Sequence, residues 1–175
     1  MGVSGCGKST VAGLVAGHLG WDFQEGDDLH SAQNVEKMAS GQPLTDDDRR
    51  PWLDAVASWI REHDVAGLPG VVTCSALKRS YRDRLRGPRV VFVYLAGSTH
   101  EIRNRLATRM NHYMPSALLD SQLACLEPPE VDEHAITIGV GAPPAEMAAE
   151  VIRALALRPG LVSSALRAST PSAGR

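Results

Sequence analysis

The stretch Gly2-Val3-Ser4-Gly5-Cys6-Gly7-Lys8-Ser9 fits the pattern G-x-x-x-x-G-K-[ST] at every fixed position. Its glycines let the main chain turn so that successive N–H groups converge on phosphate oxygens. A helix that follows directly puts its positive end at the same place. Lys8 can reach the β- and γ-phosphates of a nucleoside triphosphate, and the Ser9 hydroxyl is in register to ligate Mg²⁺, with Thr10 as the next hydroxyl. Residues 9–19 supply that helix, because Val11, Leu14, Val15 and Leu19 recur at helical spacing. Such a loop ordinarily hangs from a buried central strand, yet only Met1 precedes Gly2. The expectation is that a strand of about 5–8 residues is missing and that the natural reading frame starts upstream. Without it, two neighbouring strands would leave ladder groups unpaired at ~1–3 kcal/mol each.

The rest of the chain extends this loop into an α/β domain. Its 175 residues are 43% hydrophobic and 22% charged, enough for one domain with a real core. The net charge of -2 argues against a nucleic-acid binder working through bulk charge. No uncharged apolar run approaches the ~18–20 residues that span a bilayer, and no signal peptide opens the chain. Three cysteines do not make a disulfide framework, so a reducing cytoplasm is the expected location. Short β-rich runs alternate with helical ones. Strands are expected at residues 21–25, 71–74, 90–95 and 135–140. Helices are expected at 31–39 with Ser31 as N-cap, from Pro51 onward, and at 79–86, 99–108, 116–126 and 144–157, and Thr45 opens an acidic turn, Asp46-Asp47-Asp48, suited to a helix N-terminus. Alternation of this kind predicts a parallel sheet with helices on both faces, the architecture of phosphate-loop NTPases. Residues 159–175, rich in Ser, Ala, Gly and Pro, read as a flexible tail after a domain of residues 1–158.

A phosphate loop says nothing about the acceptor. The chain has no apolar strand ending in Asp-Glu and no N-K-x-D base-reading motif, and its length suits a small-molecule kinase. Two groups of blocks are more specific than the loop. One is Glu25-Gly26-Asp27-Asp28-Leu29-His30, Glu36-Lys37-Met38-Ala39-Ser40-Gly41, Pro43-Leu44, Asp46-Asp47-Asp48-Arg49 and Pro51-Trp52-Leu53. The other is Cys74-Ser75-Ala76-Leu77-Lys78, Tyr81-Arg82-Asp83, His112-Tyr113-Met114-Pro115 and Ser121-Gln122-Leu123. Over residues 2–157 the chain resembles the small, phosphate-loop gluconokinases of bacteria and eukaryotes. It departs from their pattern at Ser31, where proline is usual, and at Asn111, where glycine is usual.

The resemblance implies a shikimate- and nucleoside monophosphate kinase-like fold with a five-stranded parallel sheet. It implies a mobile lid over residues 105–115, and commonly a homodimer. It implies that ATP and Mg²⁺ are used to phosphorylate D-gluconate on its 6-hydroxyl. Gluconate is an anion with five hydroxyls, so its site needs a cation, polar forks and a group that orients the reacting hydroxyl. Asp27 follows a strand at the carboxyl edge of the sheet, where it can take the hydroxyl proton or hold the Mg²⁺ shell. His30 either bonds substrate hydroxyls or caps the next helix. Lys37 and Arg49 are alternative holders of the carboxylate, and Ser75, Lys78 and Arg82 follow the second strand. Arg105 and Arg109 lie one helical turn apart, placed to bind ATP and steady the transferring phosphoryl group. His112 and Gln122 complete the expected substrate contacts, and Trp52 is expected in the core. Two other readings stand beside this one: a kinase for another hydroxy acid such as shikimate, and a nucleotide-binding protein without turnover.

Overall fold

The computed structural model describes residues 1–107 and 116–156. The phosphate loop leads into α1 (Lys8–Leu19), then β1 (Asp22–Gln24), a 3-10 turn at Gly26–Leu29, α2 (Ala32–Ala39) and α3 (Asp46–Ala66). Next come β2 (Gly70–Val72), α4 (Arg79–Leu85), β3 (Phe92–Ala96) and α5 (Thr99–Ala107). After the undescribed segment come α6 (Ser116–Cys125), a 3-10 turn at Val131–Glu133, β4 (Ala135–Gly139) and α7 (Pro144–Ala156). The expected C-terminal tail lies outside the described residues.

The strands pair in parallel, β1 with β2 and β3 with β4, Phe23 facing Val71 and Tyr94 facing Thr137. Four strands in two pairs are thus seen among the described residues, against the five in one sheet that the resemblance implies. β2 and β3 do not bond to each other. Residues 1–3 run between them instead. The Gly2 N–H donates to the Ser75 carbonyl at 3.1 Å, the Leu95 N–H donates to the Met1 carbonyl at 3.0 Å, and the Met1 ammonium donates to the Val93 carbonyl. Burial pushes the pKa of that ammonium down to about 6. Beyond Met1 the gap is a cavity of about 520 Å³, walled by Trp21, Trp59, Val71, Val91, Val93 and Leu155 among others. The β2 residues are only half-buried as a result, although they face the middle of the molecule.

Two apolar clusters cover the strands. Val11 and Val15 of α1 pack with Leu95, Ile136, Ile138, Met147 and Val151. Trp52, Leu53 and Val56 of α3 pack with Tyr81, Leu85 and Phe92. α3 begins at Asp46, as the acidic turn after Thr45 suggests, and the separate start expected at Pro51 is corrected. The reason is a capping box. Thr45 Oγ1 accepts the Asp48 N–H at 3.2 Å and Asp48 Oδ2 accepts the Thr45 N–H at 2.7 Å. Three aspartates in the first turn complement the helix dipole, so Pro51 lies inside the helix on its exposed face.

Candidate active site

The strands of each pair run parallel, so the segments following β1 and β2 meet at one end, where Gly2 of the phosphate loop bonds Ser75. The phosphate loop turns through Gly2, Gly5 and Gly7, with φ of 136°, 82° and 100°, which a side chain at any of the three would strain. Lys8 Nζ donates to the Val3 carbonyl at 3.1 Å. Ser9 and Thr10 are exposed at the first turn of α1, and Cys6 is a fully buried filler. Arg105, from α5, donates to the carbonyls of Val140 and Ala142, and a Cβ on Gly7 would lie 3.8 Å from its Nη1. Arg105 therefore stands beside the loop. Arg109 and His112 fall outside the described residues.

Asp27 is held by its neighbours. The buried Thr73 hydroxyl accepts the Gly26 N–H at 2.8 Å and donates to Glu25. Trp52 Nε1 donates to the Gly26 carbonyl at 2.7 Å. A Cβ on Gly26 would run into the Thr73 carbonyl oxygen, so only glycine fits there. Both main-chain groups of Gly26 are thereby fixed, and the exposed Asp27 carboxylate follows. Gly26 is bonded to Thr73 and Gly2 to Ser75, so the Asp27 segment and the phosphate loop meet at the end of β2, on either side of Cys74 in the chain. Burial dominates at Cys74 and pushes its thiol up to about 12. His30 lies flat on Trp52, ring centroids 4.4 Å apart. Burial holds its pKa below the usual value, with nearby Asp27 opposing and Arg49 reinforcing.

Cations border this group. Lys78 Nζ reaches both carboxylate oxygens of Asp46, at 2.8 and 2.7 Å, and the Tyr81 hydroxyl donates to the same carboxylate at 2.5 Å. Those bonds, Lys78 first, hold the Asp46 carboxyl below its usual range. Lys37 Nζ pairs with Asp48 Oδ2 at 2.6 Å, and with the Thr45 bonds this lowers the Asp48 pKa to about 2. Arg49 donates to the Leu44 carbonyl at 2.5 Å. Ser75 is half-buried, and its carbonyl holds Gly2.

Two expected substrate ligands are engaged by other parts of the protein. Arg82 is buried, bidentate to Glu133, and its Nη1 serves the carbonyls of Ala76, Leu77 and Glu127. It has no surface to offer a substrate, which corrects the sequence expectation. Gln122 engages the phosphate loop at Ser4. Sequence reasoning missed the roles of Thr73, Asp46 and the Trp52 indole N–H. The available signals were a lone hydroxyl at the end of an apolar strand and a tryptophan facing a glycine across the fold.

A parallel α/β fold with a phosphate loop at its strand ends and a cation-bordered carboxylate beside it defines a small-molecule kinase. The family model described as Shikimate kinase matches residues 4–156. The chain is 54% identical over 155 residues to a gluconokinase of Gluconobacter oxydans, covering 87% of each chain. A crystal structure of a gluconokinase from Sinorhizobium meliloti superposes with a TM-score of 0.82 at 44% identity, covering 97% of this chain and 95% of that one. An unliganded sugar kinase from Janibacter gives 0.84 at 44% identity, covering 92% and 94%. The chain belongs to the gluconokinase family.

Proposed function

We propose that this chain transfers the γ-phosphoryl group of ATP to the 6-hydroxyl of D-gluconate, forming 6-phospho-D-gluconate and ADP. The observation that carries this reading is that the phosphate loop and the Asp27 segment meet at the end of β2, Gly2 bonded to the Ser75 carbonyl and Gly26 to the Thr73 hydroxyl. It gives one group for the phosphates and one for the acceptor hydroxyl. Residues 2–10 cradle the triphosphate, with Arg105 beside them and Arg109 from the lid. Asp27 orients the hydroxyl and accepts its proton. The C6 oxygen bonds to the γ-phosphorus, the bond from that phosphorus to the β–γ bridging oxygen breaks, and ADP leaves. Catalysis is mainly alignment and charge stabilisation. Lys37, Arg49 and Lys78 offer the cationic border for the carboxylate, with His30, Ser75 and His112 as hydroxyl contacts. The pairing of Lys37 with Asp48 and of Lys78 with Asp46 supports a border suited to carboxylates.

Among the described residues no group of three or more His, Cys, Asp or Glu could hold a metal. The exposed Ser9 hydroxyl instead suits a hard cation carried in on phosphates. Mg²⁺ bound there would neutralise charge on the β- and γ-oxygens. No helix among the described residues is long and apolar enough to cross a membrane. The cytoplasm, with its supply of ATP, is the compartment this reading assigns.

The test is a coupled ADP-release assay across gluconate, shikimate and other hydroxy acids, with the product identified by mass. Gluconate-dependent ADP release with a 6-phosphogluconate product is expected. Turnover of shikimate alone, or nucleotide binding without turnover, overturns the proposal.

A further inference from the structure

We infer that Gln122 is a positioning residue of the phosphate loop and not a ligand of the acceptor. The inference rests on the reading that residues 2–9 hold a nucleotide's phosphates. Gln122 Oε1 accepts the Ser4 N–H at 2.7 Å, and its Nε2 donates to Ser4 Oγ at 3.1 Å, from 118 residues away in the chain. α6, which carries Gln122, is anchored on the core that holds the loop. Leu119, one turn before Gln122, is buried in the same cluster as Val3 and Cys6, and Leu123 packs against it. The Gln122 amide is therefore presented from a fixed base.

The peptide it grips is the Val3–Ser4 unit, and both ends of that unit are occupied. At the carbonyl end, Val3 O takes the Lys8 ammonium at 3.1 Å and the Cys6 N–H at a long 3.4 Å. At the amide end, Gln122 is the partner of the Ser4 N–H. The Met1–Gly2 peptide before it is fixed by Ser75 and Leu95, and Gly2 and Gly5 on either side adopt positive φ that only glycine takes readily. Once Lys8 turns from Val3 to the β- and γ-phosphates, the carbonyl loses its strong partner. Gln122 is then the side chain that keeps the Val3–Ser4 plane from rotating, and with it the direction of the neighbouring amides. A cradle of N–H groups works only when its donors are oriented before the anion arrives.

The test measures binding of a non-hydrolysable ATP analogue by titration calorimetry without acceptor, then steady-state KM for ATP and for gluconate. It uses wild type, Gln122→Ala and Gln122→Met. Methionine keeps the length and packing of the side chain and removes both hydrogen bonds. Both variants are expected to weaken the analogue and raise KM for ATP by about tenfold, the worth of about one hydrogen bond, with KM for gluconate within about twofold. Thermal melts show that the variants are folded. Unchanged analogue affinity in both variants, rescue of affinity by Gln122→Met, or a rise confined to the gluconate KM overturns the inference. Failure of the wild type to bind the analogue would sink the nucleotide reading itself, a result separable from the other three.

Discussion

Breaking the Arg82–Glu133 pair is expected to unfold much of this protein's margin without touching its substrates. The two side chains are 1% and 3% exposed, joined by Nε–Oε2 at 2.5 Å and Nη2–Oε1 at 2.9 Å. Arg82 Nη1 adds bonds to the carbonyls of Ala76, Leu77 and Glu127 at 3.1, 3.2 and 2.8 Å. Ala76 has a positive φ of 43°, so this arginine pins the turn that delivers Lys78 to the site. Arg82→Met leaves a buried carboxylate without its cation, and Glu133→Leu leaves a buried guanidinium without its anion. Each is expected to cost about 3–5 kcal/mol, a large share of the ~5–15 kcal/mol that holds a domain folded. The double variant removes both charges and should recover most of that, short by ~1–3 kcal/mol for the carbonyls that Arg82 no longer serves. Urea denaturation followed by circular dichroism reads all three values. Glu133 is held below its usual carboxylate range, first by its bonds to Arg82. The stabilisation is therefore present above the unfolded pKa of about 4.3 and is lost as pH falls through the lower folded value. The double variant should lose less stability in acid than wild type. Single variants that cost under ~1 kcal/mol, or losses that simply add in the double, would refute this account.

Other expectations follow from the site. Thr73→Val strips the partner from the buried Gly26 N–H, costs ~1–3 kcal/mol and lowers kcat more than it raises KM for ATP; denaturation and steady-state kinetics check it. Lys78→Met removes an exposed ion pair worth under ~1 kcal/mol, so stability changes little while KM for gluconate rises about tenfold or more, read by the coupled assay. His30 has its folded pKa held below its unfolded value of about 6.5, so its protonation opposes folding. Stability should be full above that value and decline as pH falls below it. His30→Gln should flatten that decline when unfolding is compared at pH 5.5 and 7.5.

Much of the fold was legible because it is written in local signals. The expected helix at 31–39 appears as Ala32–Ala39 with Ser31 accepting the Asn34 N–H, and the 135–140 strand as Ala135–Gly139. A phosphate loop is legible for the same reason, since spacing of glycines, a lysine and a hydroxyl within eight residues defines its chemistry. Pro51 misled because a cap six residues upstream, at Thr45, outweighed the preference of proline for a helix start. Arg82 misled for a different reason. It sits in a polar, arginine-rich helix that reads as solvated, and nothing local announces a carboxylate 51 residues away. The sequence determined which chemistry the chain carries: the cradle, the aspartate after the first strand and the cluster of cations. The tertiary structure decided which of those groups stay exposed and which are spent within the fold. It buried Arg82 against Glu133, set Gln122 on Ser4, tied Gly26 between Thr73 and Trp52, and ran residues 1–3 between two strand pairs. Burial and partnership are set by elements distant in the chain, and a single residue's neighbours in sequence carry no record of them.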